Sequence, residues 1–450
     1  MMKSKLSLLL FYFLLFFILS ACGTLQITFV TPVIIAHPQE TAAADSPVQG
    51  DSPQSAPTPL ALSPVASPTP TSLPTAYPSA RLQPGESLTI QSIEMVDANK
   101  GWATGRGTNT FDRVLVTLDG GRTWRDVTPA PVLTQVSPSP SVSAAFFKDE
   151  EHAWIAYGSQ DAWPSGAPVV IWATSDAGQT WVASQPLALS DVPLEFVVPA
   201  DLGFSDLSHG WLMLHLGNDM NHDYVAVFTS SDAGQTWQRV VDPARGNLDM
   251  ACSKTGLAFT TPQRGWLTIN CKGVQPGVFF YASDDGGRSW TLEDLPAQAG
   301  DLKAYMTPTD SCGTAMPTFS NPNVGWVMVS CYSPGTRITR SWLFLTGNAG
   351  LSWSPRPAPI AYGTFQFVDT VTGWWLGTSA QEGGQANGLY TTSNSGNTWS
   401  QVISTGWTGQ LDFIDVQTGW VVARAGDQVA LVFTRNGGRS WEEIKPGVKQ

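Results

Sequence analysis

A short motif that recurs seven times along the chain constrains its fold more than any other feature. The motif reads Ser/Thr, any residue, Asp/Asn, any residue, Gly, any residue, Ser/Thr, Trp, and its clearest copy is SSDAGQTW. Such a stretch predicts a tight hairpin turn, because the Asp or Asn side chain accepts hydrogen bonds from turn N–H groups and the glycine tolerates a positive φ. The acidic or amide positions are Asp119, Asp176, Asp232, Asp285, Asn348, Asn394 and Asn436.

Three of these seven positions are amides, and this favours a structural role for all of them. An amide keeps the acceptor that a turn needs, but it could not replace a catalytic acid or a charged calcium ligand. We therefore interpret the seven motifs as structural turns, in preference to catalytic or calcium-binding residues.

A second signature precedes every turn motif and supplies two further strands. It is an apolar residue followed seven positions later by Trp, usually within Gly-Trp, as in FQFVDTVTGWWLGT. The pairs are Met95/Trp102, Phe147/Trp154, Phe204/Trp211, Phe259/Trp266, Phe319/Trp326, Phe367/Trp374 and Phe413/Trp420. Each unit then has four strands, A to D, in an antiparallel meander. Seven units of about 50 residues predict an all-β, seven-bladed β-propeller over residues 81–450, with the tryptophans packed between blades.

The amino terminus has the pattern of an export signal. Lys3 and Lys5 precede an apolar run that ends in Leu19-Ser20-Ala21-Cys22. This ending resembles the lipobox of bacterial lipoproteins, which implies a signal peptide over 1–21 and a lipid on Cys22. An ordinary secretory peptide or an uncleaved anchor are the alternatives. Residues 22–80 are rich in Pro, Ser and Thr and predict a disordered tether. We expect an extracytoplasmic protein anchored to the bacterial membrane.

Charge and motif content exclude several function classes. The net charge is −12 and no basic stripe is visible, so the sequence predicts no nucleic-acid partner. No Ser/His/Asp set, phosphate loop or zinc motif is recognisable, so we predict no catalytic residue, cofactor or metal.

One local cluster, HLGNDMNHDY, combines His215, Asp219, His222 and Asp223. A solvated polar loop is the favoured interpretation, and a weak metal site is the alternative.

The turn motif resembles the Asp-box, or BNR repeat, of sialidases, sortilin-type receptors and xyloglucanases. The pairing of FxD…GW with TxDGGxTW in each unit resembles the photosystem II assembly and stability factor family over residues 88–446. That resemblance implies a seven-bladed, non-enzymatic propeller that binds membrane-protein assembly intermediates. Two functions stay open: a tethered protein-binding scaffold, and a glycan-binding or glycan-cleaving propeller. The arginine triad and early motif of sialidases are not recognisable here.

Four cysteines besides Cys22 occupy equivalent positions in two neighbouring units. Cys252 and Cys312 precede the apolar residue of their unit by the same distance, and Cys271 and Cys331 follow the Gly-Trp tryptophan by the same distance. These positions face each other across the A–B hairpin, at separations that permit a disulfide. We predict Cys252–Cys271 and Cys312–Cys331 bonds.

The topology predicts which face of the propeller binds a partner. A–B and C–D turns share one face, here called the turn face. B–C loops and D–A connections share the other, which varies most in length and is called the variable face. Long, varied loops on a rigid scaffold usually carry function. Candidates on the variable face are Arg106, Trp163, Asp219, His222, Arg337 and Trp407. The two tryptophans either are exposed anchors or cover the blade ends.

Overall fold

The computed structural model describes residues 76–78, 82–107, 111–133, 142–164, 166–245, 248–293, 295, 309–379 and 387–449. The predicted signal peptide, Cys22 and most of the predicted tether lie outside these residues. Within them the regular structure is β-strand, apart from one helical turn, α1 (Ala130–Leu133). Among the described helical residues, none forms a helix of the length and apolarity needed to cross a membrane.

The strands follow one another closely along the chain. Strands β1 to β9 are Ala76–Pro78, Thr89–Met95, Gly101–Arg106, Arg113–Thr117, Thr123–Asp126, Val142–Phe147, His152–Gly158, Ile171–Ser175 and Thr180–Ala183. Strands β10 to β17 are Val198–Phe204, Gly210–Asp219, His222–Ser230, Gln238–Val241, Ser253–Phe259, Gly265–Asn270, Phe280–Ser283 and Thr291–Leu292. Strands β18 to β24 are Ser311–Thr314, Thr318–Phe319, Gly325–Ser333, Ile338–Thr346, Ser354–Pro357, Tyr362–Phe367 and Gly373–Thr378. Strands β25 to β31 are Gly388–Thr392, Ser400–Ser404, Thr408–Phe413, Gly419–Ala425, Gln428–Thr434, Glu442–Ile444 and Gly447–Val448.

Four consecutive antiparallel strands are the unit of the fold. Such meanders are β2–β5, β6–β9, β10–β13, β23–β26 and β27–β30. Strands β14–β22 form one nine-stranded sheet, because β18 pairs with β15 as well as with β20. Two further strands add to outer edges: β1 pairs antiparallel with β9, and β31 pairs parallel with β5.

The first strands of neighbouring sheets lie against each other. Strand β10 contacts β6 and β14, and β27 contacts both β23 and β2. The last sheet therefore meets the first, as side-chain bonds also show: Gln410 Oε1 accepts from the Ile93 N–H at 3.1 Å, and Asp412 Oδ2 accepts from the Met95 N–H at 2.7 Å. Four-stranded antiparallel sheets that meet at their first strands are consistent with a β-propeller.

The Gly-Trp tryptophans pack between sheets. Trp102 stacks on Phe147 of the next sheet at 5.2 Å between ring centroids, and Trp374 stacks on Phe413 at 3.9 Å. The preceding glycine is needed because its own hairpin partner lies against it: a Cβ on Gly373 would lie 2.7 Å from the Phe367 ring. This contact accounts for the spacing between the apolar residue and the Gly-Trp pair.

Most of these indoles also form a hydrogen bond to the next sheet. The Nε1 groups of Trp102, Trp374 and Trp420 donate to the carbonyls of Asp149, Gly437 and Gly120, at 2.8, 3.3 and 3.0 Å. The bond from Trp420 joins the last meander to the first. Trp266 and Trp326 differ, because their buried Nε1 groups have no partner among the described residues.

The seven Asp/Asn turns share one hydrogen-bond pattern. Asp232 Oδ1 accepts from the Thr236 N–H at 2.9 Å and from Ser230 Oγ at 2.8 Å, while Oδ2 accepts from Thr236 Oγ1 at 2.6 Å. Partial burial alone would raise the pKa of Asp232, but these hydrogen bonds outweigh it, so the pKa is lowered. In the amide turns the second hydroxyl accepts instead: Asn348 Nδ2 donates to Ser352 Oγ at 2.9 Å. Asn394 and Asn436 do the same.

Each turn contains two successive residues at positive φ, whereas the motif predicted one. Gly234 has a φ of 84°, and the preceding Ala233 has a φ of 61°. The residues equivalent to Ala233 are Ala177, Ala349 and Ser395, also left-handed, and glycines in the remaining turns. A side chain at such a position costs about 1 kcal/mol relative to glycine, and the sequence pattern alone does not reveal that cost.

Two disulfides lie across A–B strand pairs: one links the residues that flank β14 and β15, and the other links β18 to β20. Cys252 is bonded to Cys271, with Cα atoms 5.1 Å apart, and Cys312 to Cys331, with Cα atoms 4.0 Å apart. This is the pairing that the equivalent positions predict. The first strand of the second pair's meander is interrupted, because β18 and β19 pair separately with β20.

Candidate functional site

A cleft of about 810 Å³ opens where the meanders β6–β9 and β10–β13 and the first four strands of the nine-stranded sheet, β14–β17, bring their B–C turns and D–A links together. It therefore lies on the variable face. Its lining residues are Gln160, Phe196, Val198, His215, Asn218, Met220, Asn221, His222, Asp223, Cys252, Ser253, Asn270, Lys272 and Val274. Amide side chains predominate among the polar groups, and the apolar groups are mainly aliphatic.

One wall of the cleft is the β11–β12 hairpin. The two strands continue in register as far as the pair Asp219 and His222, so only Met220 and Asn221 form the turn. The expectation of a loop over HLGNDMNHDY is therefore wrong. The register shift between His215 and Gly217 breaks the alternation that would identify a strand. Met220 lies at the tip with a φ of 44° and 96% of its surface exposed.

The hairpin is held against the neighbouring sheet. The Cys252 N–H donates to the Asn221 carbonyl at 2.6 Å, and the Asp223 N–H donates to the Met250 carbonyl at 2.8 Å. The disulfide then links Cys252 to Cys271, whose N–H donates to the Cys312 carbonyl at 3.0 Å. Covalent and hydrogen bonds thus run without a break from the hairpin to the second disulfide, so the cleft has a fixed wall.

A buried carboxylate orients one histidine of the cleft. His215 Nδ1 lies 2.7 Å from Asp223 Oδ1, so Nδ1 carries the hydrogen and donates it. Asp223 Oδ2 accepts from the Lys254 N–H at 2.8 Å. Burial lowers the pKa of Lys254 to about 8, and its Nζ donates to the carbonyls of Ala251 and Cys252. Burial raises the pKa of nearby Asp201 to about 6.

The four residues of the local cluster do not form a common ligand set. His215 and Asp223 pair with each other, whereas Asp219 and His222 are exposed on the hairpin. Among the described residues there is no group of three or more His, Cys, Asp or Glu side chains placed to hold a metal ion.

Lys272 lies in the opposite part of the cleft wall. Its Nζ donates to Ser330 Oγ at 2.8 Å and lies 5.9 Å from the centroid of the Tyr362 ring. Burial lowers the pKa of Lys272. Of the ion pairs formed between described residues, none includes Lys272.

The structure separates the remaining candidates from this cleft. Arg106 forms an ion pair with Asp112 at 2.8 Å, and Arg337 is exposed in the turn between β20 and β21. Both are at B–C turns, as predicted, but neither lines the cleft. Of the candidates named from the sequence, His222 lines the cleft and Asp219 is next to lining residues.

The two candidate tryptophans cover the ends of their sheets. Trp163 is only 8% exposed, and its Nε1 donates to the Ala167 carbonyl at 3.1 Å. The alternative of an exposed anchor is wrong for Trp163. Trp407 is half-buried and packs edge-on against Trp441, with ring centroids 5.8 Å apart.

Sequence reasoning missed the residues that give the cleft its character. These include Met220 at the hairpin tip and Lys272, which follows the disulfide-bonded Cys271. The sequence does indicate where Lys272 lies, because it follows a cysteine whose disulfide closes the end of an A–B strand pair, and that end is at the variable face. The sequence does not indicate that Lys272 lines a cleft, because the cleft is formed by residues from three sheets.

Comparison with known proteins gives a likeness of fold. No protein-family model matches the chain, and neither does any curated protein. A solved structure described as YCF48 bound to D1 peptide is 16% identical, with a TM-score of 0.45, over 81% of this chain and 98% of that chain. A xyloglucanase from Xanthomonas campestris is 14% identical, with a TM-score of 0.40, over 79% of this chain and 60% of that one. An ulvan lyase is 11% identical, with a TM-score of 0.41, over 81% and 86%. These proteins are β-propellers, and at such identities nothing about activity follows.

Proposed function

We propose that the chain is a seven-bladed β-propeller that acts as a non-enzymatic scaffold and binds a protein partner through its variable face. The observation that supports this most is the cleft itself. It is wide, it is lined by amide and aliphatic side chains, and it has a rigid hairpin as one wall. Met220 and Val274, at 96% and 45% exposure, lie at its surface. Methionine is enriched at protein interfaces, which also contain direct hydrogen bonds between polar groups of the two partners.

We also propose that the protein is anchored to the membrane by a lipid and acts on its outer side. The lipobox-like ending at Cys22 supports a lipid anchor, and the Pro/Ser/Thr-rich residues 22–80 support a tether. The protein would then act outside the cytoplasm, on a partner that is itself a membrane or cell-surface protein. Disulfides suit such an oxidising location. The resemblance to photosystem II assembly factors suggests a membrane-complex assembly factor.

The experiment is capture of the partner from detergent-solubilised native membranes, with matched variants on the two faces. Met220→Asp alters the cleft, and Leu118→Asp alters an exposed leucine of a C–D turn, which is 72% exposed on the turn face. Both add one charge to an exposed site, so folding should be affected little. We expect Met220→Asp to lose the partner and Leu118→Asp to keep it. The reverse result would place the binding surface on the turn face.

A glycan ligand is the competing outcome of the same experiment. The phenyl ring of Phe196 is the one benzenoid or indole ring among the cleft-lining residues. Sugars usually pack a flat face on such rings, so the cleft offers them little. Binding to a glycan array, or release of reducing sugar by the purified protein, would contradict the protein-binding proposal.

A further inference from the structure

We propose that the cleft binds an extended peptide segment of the partner through a carboxylate of that peptide, which pairs with the Lys272 ammonium group. This inference rests on the proposed function and adds the chemistry by which the cleft selects its ligand. The juxtaposition that carries it is a partly buried lysine that lines a cleft containing four amide side chains and that forms no ion pair with any acidic side chain of the described residues.

Three partly buried arginines of the described residues are neutralised by carboxylates, whereas buried Lys254, which does not line the cleft, donates its Nζ hydrogens to two backbone carbonyls. Arg113 Nη1 lies 2.8 Å from Asp126 Oδ2, Arg239 Nη2 lies 2.6 Å from Asp191 Oδ2, and Arg264 Nη1 lies 2.8 Å from Asp284 Oδ1. Burying an ammonium group without an opposite charge is unfavourable, and proteins seldom leave one so. Lys272 has a hydroxyl and an aromatic face as neighbours, and these stabilise it less than a carboxylate would.

The cleft's other charged lining group is already occupied. Both oxygens of Asp223 accept hydrogen bonds, one from His215 and one from the Lys254 N–H. Asp223 is only 7% exposed and cannot move to Lys272 without abandoning both donors. An incoming carboxylate would therefore meet Lys272 as the lining cation that no acidic side chain of the described residues pairs with.

The surrounding amides fit the backbone of an extended chain. Asn218, Asn221 and Asn270 line the cleft, and each amide group can donate and accept. Asn270 Oδ1 accepts from the Lys272 N–H at 3.1 Å, which leaves its Nδ2 as a donor beside the lysine. A peptide in extended conformation presents alternating N–H and C=O groups to such side chains. Met220 and Val274 supply aliphatic surface for its side chains.

The net charge of the protein makes this recognition local. At −12 the molecule as a whole repels acidic ligands. Charges farther than about 8 Å apart are largely screened at physiological ionic strength. A carboxylate within hydrogen-bond reach of Lys272 is attracted, whereas scattered acidic residues elsewhere on the peptide contribute nothing favourable. The cleft should therefore favour peptides with a carboxylate at one particular position, and a peptide's total negative charge should not increase its affinity.

The test is selection from a random library of short peptides on the full chain, followed by anisotropy titration of the best peptide. We expect one position of the selected peptides to be Asp, Glu or a free carboxyl terminus. Lys272→Gln should weaken binding of that peptide about tenfold or more, as for loss of a charge-assisted hydrogen bond. Lys148→Gln, on a lysine of the turn face, is the matched control and should bind as the wild type does. Replacing the acidic residue of the peptide by its amide, or amidating its carboxyl terminus, shows which carboxylate binds Lys272, because only that change should weaken binding.

The remaining results distinguish failure of the carboxylate pairing from failure of the proposed function. Selected peptides without an acidic position, or full affinity in Lys272→Gln, would exclude the pairing. If such peptides still lose affinity in Met220→Asp, the proposed function stands without the carboxylate. If no peptide is selected and membrane capture also fails, the proposed function fails as well.

Discussion

Trp326 and Trp374 offer a test of what the Gly-Trp indoles contribute, because their stacking and burial are alike while their hydrogen bonding differs. Each indole stacks on the phenylalanine of the next sheet, at 3.8 Å and 4° for Trp326 and at 3.9 Å and 5° for Trp374. They are 1% and 2% exposed. Trp374 Nε1 donates to the Gly437 carbonyl at 3.3 Å, whereas Trp326 Nε1 has no partner among the described residues.

Substitution by Phe removes the same atoms at both sites, so the cavity and packing contributions cancel in the comparison. Trp374→Phe also breaks a hydrogen bond and leaves a buried carbonyl unpaired, which costs about 1 kcal/mol or more. Trp326→Phe instead removes a buried donor that is already unsatisfied, which should lessen its net loss by about 1 kcal/mol. We expect Trp374→Phe to lower the free energy of unfolding by about 2 kcal/mol more than Trp326→Phe does.

Urea unfolding followed by tryptophan fluorescence gives both values, provided that the m-value stays unchanged. The reasoning would be refuted if Trp326→Phe were destabilised as much as Trp374→Phe, or more. Such a result would mean that stacking alone determines how these residues hold adjacent sheets together.

Four further predictions follow from the turns, the sheet contacts and the amino terminus. Ala233→Gly should raise the free energy of unfolding by up to about 1 kcal/mol, because it removes a left-handed side chain; thermal melting checks this. Asp232→Ala should lower it by about 1–2 kcal/mol, whereas Asp232→Asn, which three turns already use, should change it little; paired denaturation curves would show otherwise. Glu94 is an exposed residue between buried Ile93 and Met95, and the loss of solvation there raises the pKa of its carboxyl from 4.5 to about 7; burial together with Glu94 raises the pKa of Asp412. The protonated form of Glu94 therefore favours folding, and stability should fall by about 1 kcal/mol as the pH rises through that interval, an effect that Glu94→Gln should largely remove in a pH series. Cys22→Ser should shift the protein out of the membrane fraction, and mass spectrometry of wild-type Cys22 should show a lipid.

The repeated elements could be predicted because their physics is local. The Asp or Asn of each turn bonds groups within four residues of itself, so a short motif contains the whole interaction. The spacing of Phe367 to Gly373 reflects contact across one hairpin. The disulfides followed from the same logic, since equivalent positions in two units implied equivalent pairing.

The candidate site could not be predicted to the same extent, because it depends on contacts between sheets. The register shift at His215 interrupts the alternation of buried and exposed residues by which a strand is recognised in a sequence. The pairing of Asn270 with Gly313 joins two groups of strands into one sheet. Neither is encoded in a periodic pattern. Trp163 fell outside both repeats and suggested an anchor, but it packs into its own sheet end. Lys272 becomes notable only when the ion pairs among the described residues are known, because none of them includes it.

The pairing of β1 with β9 determines how the folded part would respond to tension. Three residue pairs, Ala76 with Val182, Tyr77 with Trp181 and Pro78 with Thr180, form this ladder at the outer edge of a complete meander. A pull on the chain ahead of Ala76 therefore loads these few hydrogen bonds before it loads any of the four strands behind them. Detachment of β1 would release these three residues and leave β6–β9 fully paired. Under tension the pairing of β1 with β9 would therefore break first, before force reaches the strands whose ends line the cleft.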